Sequence, residues 1–117
     1  MADLTRTDVI KLIAIATQPL NLEGVYLIEL DLSCLYLRGA TLMNAFLNNA
    51  DLRGVDLRDA NLMNAHLSGA TLIGSHLIDA KLNYADLSDA NLRGVNLSGA
   101  DLSGADLTNA NLSNTMY

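Results

Sequence analysis

The chain has 117 residues, which is the length of one domain and leaves no room for a second beside the repeat described below. Its 13 acidic and 7 basic residues give a net charge of −6, which argues against binding nucleic acid through its phosphates. The single cysteine, Cys34, cannot form an internal disulfide, and the longest apolar run near the N-terminus, residues 12–16, is too short to span a bilayer. Together these features predict a cytoplasmic protein without a membrane anchor.

Residues 1–19 are predicted to form an N-terminal capping helix. Thr5 and Asp8 have the spacing of a capping box, with Asp in place of the usual Glu. Apolar side chains between Val9 and Ile15 cover a wide arc, which is more than a helix lying freely in water would carry. Pro19 removes a backbone donor, so we expect the helix to end by residue 17 or 18 and to cover one end of the structure that follows.

From residue 20 onward, leucine occurs at every fifth position. Helices repeat every 3.6 residues and strands every two, so a period of five fits neither. A short, fixed repeat of this kind is typical of a solenoid, in which each unit buries its apolar face by stacking on its neighbours. The predicted core consists of nineteen leucines: Leu22, Leu27, Leu32, Leu37, Leu42, Leu47, Leu52, Leu57, Leu62, Leu67, Leu72, Leu77, Leu82, Leu87, Leu92, Leu97, Leu102, Leu107 and Leu112.

The residues around each leucine predict a corner in every unit. The residue two places after the leucine is Gly, Asn or Asp in 16 of 19 units. These three types tolerate a positive φ and favour turns. The residue before the leucine is Asp or Asn in 11 of 19 units and is predicted to face outward.

Exceptions to the repeat reveal a second period of twenty residues. Val55, Ser75 and Val95 replace the alanine that otherwise stands two places before the leucine from position 40 onward, and each follows a glycine. We therefore predict that each position stacks on the position twenty residues later, so that four units complete one coil. Residues 20–114 would then form about 4.75 coils, with residues 115–117 as a C-terminal tail.

The A(D/N)LXX pattern, as in ADLRG at residues 50–54 and ADLSG at residues 100–104, resembles the pentapeptide repeat proteins, which are abundant in cyanobacteria. The resemblance covers about four-fifths of the chain, and so many tandem copies do not arise by chance. It implies an all-β solenoid, a right-handed quadrilateral β-helix. Most members of the family have no assigned biochemical role, and a few bind DNA gyrase by presenting an acidic, rod-like surface that imitates DNA.

The sequence predicts no catalytic, cofactor-binding or metal-binding residues. His66 and His76, the only histidines, are ten residues apart, which is half a coil, so they are predicted to project from opposite faces. Cys34 stands at a corner with no evident basic neighbour that would activate its thiol. The chain is therefore predicted not to be an enzyme.

Stacking at twenty residues predicts columns of side chains along the faces. One column joins Tyr26, Phe46 and His66 in an aromatic ridge, with Tyr36 on the opposite face. Acidic columns join Asp31 to Asp51, Asp59 to Asp79, and Asp86 to Asp106, while Arg38, Arg53 and Arg58 interrupt any continuous acidic face. The acidic residues fit either a DNA-like surface or an ordinary soluble one.

Two functional hypotheses follow. The first is a non-enzymatic structural or protein-interaction module with an unknown protein partner, which also forms a homodimer through its C-terminal coil. The second is an acidic DNA mimic that binds DNA gyrase or topoisomerase. The candidate interaction surface is Asp86, Asp101, Asp106, Leu112, Met116 and Tyr117. Neither hypothesis involves direct binding to nucleic acid or to a membrane.

Overall fold

A computed structural model describes residues 4–117, which form one helix, α1 (Arg6–Ile15), followed by a regular β array. The first three residues of the predicted capping segment, 1–3, lie outside the described residues. The described chain measures 34 × 27 × 21 Å along its principal axes. At ten residues α1 cannot cross a bilayer, and the described part of the chain holds no longer helix that could.

Helix α1 begins with the predicted capping box. The hydroxyl of Thr5 accepts a hydrogen bond from the Asp8 N–H at 3.2 Å, and the Asp8 carboxylate accepts one from the Thr5 N–H at 2.9 Å. The helix ends at Ile15, within the predicted limit of residue 17 or 18, and the extended Ala16 that follows donates its N–H back to the Ile13 carbonyl. Val9 is fully buried against the first coil, so α1 lies on the β array rather than in solvent.

The β array is a ladder of parallel bridges between residues twenty positions apart. Sixteen such bridges run from Asn21↔Thr41 to Asn96↔Met116. Each bridge joins two single residues, and a bridged residue recurs at every fifth position from Asn21 to Met116. Four units thus separate stacked positions, which is the register that the sequence predicts. The ladder also includes Met116, two residues beyond residue 114, where the sequence pattern placed its end.

Each corner is a tight turn around a left-handed residue. The leucine carbonyl accepts from the N–H three residues later, as in Leu52 O to Val55 N at 3.2 Å. The second of the two residues between them has a φ of 57° to 73° in all nineteen units. A positive φ at this position is what a type II turn requires. Glu29, Cys34 and Tyr84 adopt it as well, although residues of their types rarely do.

The core is a stack of leucines with small side chains between them. The sixteen leucines spaced by five from Leu22 to Leu97 are at most 3% exposed, and from residue 40 onward the second inward slot holds Ala, Val or Ser. In the first coil that slot holds the partly buried Leu20, Val25, Leu30 and Leu35. Leu102, Leu107 and Leu112 are partly exposed but still pack against this core. Ser75 is a polar residue in this slot, and its Oγ is buried without a hydrogen-bond partner.

The first coil is closed at its edge by a side chain from α1. The Arg6 guanidinium donates to the Asp31 carbonyl at 3.0 Å, to the Asp31 carboxylate at 3.1 Å and to the Ser33 carbonyl at 3.1 Å. In later coils, the carbonyls that stack on those of Asp31 and Ser33 accept N–H groups from the preceding coil. Arg6 therefore replaces donors that a preceding coil would have supplied.

Candidate interaction surfaces

The Asp or Asn before each leucine folds back onto its own turn. In all eleven units that have one, its side-chain oxygen accepts the N–H of the residue two places later, at 2.9 to 3.2 Å. Where that later residue is Ser or Thr, its hydroxyl often bonds the same oxygen, as from Ser103 to Asp101 at 2.6 Å. These Asp and Asn side chains therefore stabilise the coil, and the aspartates carry charge as well. The sequence analysis assigned these side chains only a surface role and did not predict their hydrogen bonds to the N–H two places later.

Arginines neutralise the acidic columns in the first half of the ladder. Four ion pairs are formed among the described residues: Arg6–Asp31, Arg38–Asp59, Arg53–Asp51 and Arg58–Asp56. Arg53 and Arg58 each bind their carboxylate with Nε and Nη2, the two-point geometry that guanidinium and carboxylate favour. Asp86, Asp89, Asp101 and Asp106, in the later coils, form no ion pair with any residue that the structure describes.

Hydrogen bonding keeps several of these carboxylates ionised in acid. The Ser103 hydroxyl, followed by the Asn83 side chain, lowers the pKa of Asp101 to about 2. The Thr108 hydroxyl lowers the pKa of Asp106 in the same way. The side-chain hydrogen bond from Arg58 is the largest cause that lowers the pKa of Asp56, against a smaller opposing effect of burial. All three groups thus stay charged over the physiological pH range.

The predicted aromatic ridge is a stack of parallel rings. Tyr26 and Phe46 lie 4.4 Å apart between ring centroids with an interplanar angle of 5°, and Phe46 and His66 lie 4.5 Å apart at 4°. Each ring thus presents its edge to solvent and its faces to its neighbours. Asp86 and Asp106 continue the same column. This face therefore offers ring edges followed by two carboxylates.

The opposite face carries a groove of about 400 Å³ around Asp56. The column here is Tyr36, Asp56, His76 and Asn96, ten residues out of phase with the aromatic ridge. Asp56 lies at the bottom and is only 8% exposed, whereas Tyr36 is 77% exposed. Gly54, at the neighbouring corner, adds no side chain to the groove, and Cys34 lines the same side. The sequence analysis placed Tyr36 on this face but did not predict the groove.

The two histidines lie in separate columns, as predicted: His66 is bridged to Phe46 and Asp86, and His76 to Asp56 and Asn96. Among residues 4–117, no group of three or more His, Cys, Asp or Glu side chains is placed to hold a metal ion. Cys34 is a free, exposed thiol.

The residues of the predicted interaction surface lie in the last two coils and on more than one face. Asp86 and Asp106 are in one column, and Asp101 belongs to the column of Lys81 on the adjacent face. Met116 and Tyr117 are 54% and 75% exposed, and Leu112 is partly exposed in the last coil. Asp101, Asp106 and Leu112 thus share the last coil with Met116.

A family model of pentapeptide repeats matches the chain in 8 copies, over residues 21–59, 60–99 and 85–116. No curated protein sequence matches the chain significantly. Among solved structures, the chain is similar to HetL, a pentapeptide repeat protein involved in heterocyst differentiation regulation from the cyanobacterium Nostoc sp. strain PCC 7120. The two are 37% identical with a TM-score of 0.67, over 81% of this chain and 48% of HetL.

Two further structures share the repeat. A pentapeptide repeat protein of the Arabidopsis thaliana thylakoid lumen is 24% identical with a TM-score of 0.59, over 84% of this chain and 61% of that one. Rfr23 from the cyanobacterium Cyanothece 51142 is 27% identical with a TM-score of 0.48, over 95% and 98% of the two chains. The chain thus spans about half of HetL and three-fifths of the Arabidopsis protein.

Proposed function

Because the chain belongs to the pentapeptide repeat family, we propose that it is a non-enzymatic module that binds another protein through the faces of a right-handed quadrilateral β-helix. In this proposal residues 1–19 cap a β-helix of about 4.75 coils over residues 20–114, and residues 115–117 extend it. HetL is involved in the regulation of differentiation, and a regulatory role through protein contacts extends that description to this chain.

The observation that carries the proposal is the exposure of large apolar side chains on a rigid rod. Tyr36, Tyr84 and Tyr117 are 77%, 66% and 75% exposed, and Ile15 is 76% exposed. Exposed aromatic side chains are enriched at protein interfaces, where they supply much of the binding energy. Their rigid backbone would lower the entropy cost of binding.

The test is affinity capture from cytosol with the immobilised protein, followed by direct binding to each purified candidate. We expect one discrete partner whose affinity falls when Tyr36 or Tyr84 is changed to Ala. A matched Ser113→Ala protein, changed at an exposed serine, should bind like the wild type. Failure of every purified candidate to bind, or equal binding by all variants, would contradict the proposal.

A homodimer through the C-terminal coil is part of the proposal. Leu102, Leu107 and Leu112 are partly exposed, whereas the upstream core leucines are at most 3% exposed. A two-fold contact would let each copy cover the other's leucines, with Asp101 and Asp106 around the junction. Sedimentation over a concentration series should show a monomer–dimer equilibrium that Leu112→Asp abolishes.

A second candidate, an acidic DNA mimic that binds gyrase or topoisomerase, is favoured by the Asp86–Asp106 column, which no arginine of the described chain neutralises. The four ion pairs in the earlier coils weigh against it. A supercoiling assay with purified gyrase separates the two candidates. Inhibition that is lost when Asp86 and Asp106 are both changed to Asn supports mimicry, and no inhibition at any protein concentration excludes it.

A further inference from the structure

The groove around Asp56 has the form of an aromatic stack that lacks its central ring. On one face the column reads Tyr26, Phe46, His66, and its three rings are stacked. On the opposite face the equivalent column, ten residues later, begins Tyr36, Asp56, His76. The outer residue types are the same, and only the central residue differs.

The size of this gap follows from the filled column. Coils are about 4.8 Å apart, so the backbones at Tyr36 and His76 are separated by about 9.6 Å. The chain itself fits one phenyl ring into such an interval at centroid distances of 4.4 and 4.5 Å. The backbone interval between Tyr36 and His76, which line the groove of about 400 Å³ together with Asp56, therefore matches the interval that holds a single ring on the opposite face.

Asp56 leaves the interval open because its side chain is held aside. Arg58, in the neighbouring column, binds both carboxylate oxygens, with Nε at 2.9 Å and Nη2 at 2.7 Å. Gly54 at the adjacent corner adds no side chain, and Ile78 supplies an apolar wall on the other side. No ring among the described residues stacks on Tyr36 or His76, in contrast to both flanking rings of the filled column.

We propose that the interval between Tyr36 and His76 is a binding slot for an aromatic side chain of the protein partner, a tyrosine-type ring that stacks between the two and donates its hydroxyl to Asp56. This inference rests on the proposed function, since it names the chemistry by which the partner is held. Parallel stacking on two rings and one hydrogen bond to a carboxylate together favour a phenol over an aliphatic side chain.

Titration with N-acetyltyrosinamide, followed by two-dimensional amide NMR, tests the slot directly. Shifts should be confined to the amides around Tyr36, Asp56 and His76, and N-acetylleucinamide at equal concentration should not reproduce them. Asp56→Phe supplies the missing ring from the chain itself and should abolish the shifts. Equal binding of both probes, or binding that Asp56→Phe does not alter, would overturn the slot.

A reciprocal variant on the opposite face keeps the test decisive even if Asp56→Phe fails to fold. Phe46→Asp removes the central ring of the filled column and should create a second set of shifts around Tyr26 and His66. Tyr36→Ala removes one wall and should weaken probe binding roughly two- to tenfold, whereas Tyr84→Ala, at a corner outside the groove, should not. Equal losses from the two tyrosine changes would also refute the slot.

The partner assay separates this inference from the proposed function. If a purified partner binds wild type and Asp56→Phe equally, the slot is wrong and the interaction module stands. If the probe binds as expected but no protein partner is found, the slot stands and the proposed function fails. If the partner is lost with a folded Asp56→Phe protein and kept by Ser113→Ala, both are supported.

Discussion

A single leucine and its neighbour illustrate how sharply the repeat divides inside from outside. Leu72 is 1% exposed in the middle of the stack, whereas the next residue, Ile73, is 37% exposed on the surface. Leu72→Ala should cost about 2–5 kcal/mol of unfolding free energy, because bonded coils on both sides prevent the cavity from collapsing. Ile73→Ala removes a similar volume and should cost much less. Equal urea midpoints for the two variants would contradict this assignment of the inward slots.

Ser75 is a polar residue in a slot built for alanine. Its Oγ is buried without a partner, and a buried hydroxyl left unsatisfied costs about 1–3 kcal/mol. Ser75→Ala should therefore raise the unfolding free energy. The control is Ser88→Ala, which removes a hydroxyl that donates to Asp86 at 2.6 Å and should be destabilising. A loss of stability in Ser75→Ala would show that the hydroxyl is satisfied in solution.

At the scale of the element, corner glycines differ in what surrounds them. A Cβ at Gly104 would lie 2.5 Å from the Tyr84 ring, whereas one at Gly74 would meet nothing within 4 Å. Both have similar positive φ, so the left-handed cost of alanine, about 1–2 kcal/mol, is common to them. Gly104→Ala should therefore be more destabilising in thermal unfolding. Tyr84→Ala in the same molecule should remove the difference, and additive effects would argue against the clash.

Helix α1 depends on a contact across 25 residues of sequence. Arg6 donates to the backbone carbonyls of Asp31 and Ser33, and each such bond contributes about 0.5–1.5 kcal/mol. Arg6→Ala should lower the melting temperature and speed amide hydrogen exchange throughout α1. Lys11→Ala, at an exposed position on the same helix, should do neither. Unchanged exchange in Arg6→Ala would mean that α1 is held by the packing of Val9 and Ile13 against the core.

The sequence predicts periodic features well and contacts between particular side chains poorly. The twenty-residue register could be predicted because Val55, Ser75 and Val95 interrupt the alanines in step, and the capping box could be predicted because Thr5 and Asp8 are neighbours. The Arg6 contact and the groove at Asp56 could not. Both depend on where an arginine side chain lies after folding, and no local pattern specifies that.

For the whole molecule, repeated turns make stability a sum of similar contributions from stacked units. Each Asp or Asn that accepts its own turn's N–H adds one such contribution, and five of the aspartates also add a dependence on pH. The pKa values of Asp31, Asp51, Asp56, Asp101 and Asp106 are all lowered by hydrogen bonds to the ionised carboxylate. A solenoid of this design should therefore be sensitive to acid along its whole length.

Asp101 stabilises the folded chain only while its carboxylate is ionised. Its pKa falls from 3.8 to about 2 on folding, so the unfolded chain binds a proton more readily than the folded one. The stabilisation is complete above about pH 4 and is lost as the pH falls toward 2. Ser103→Ala removes the largest cause of the shift and should flatten the decline in urea midpoint over this window. Ser113→Ala is the matched control, because its neighbour Asn111 does not titrate and the decline should keep its wild-type slope. Identical slopes for the two variants would show that the Ser103 hydroxyl does not hold the Asp101 carboxylate in its charged form.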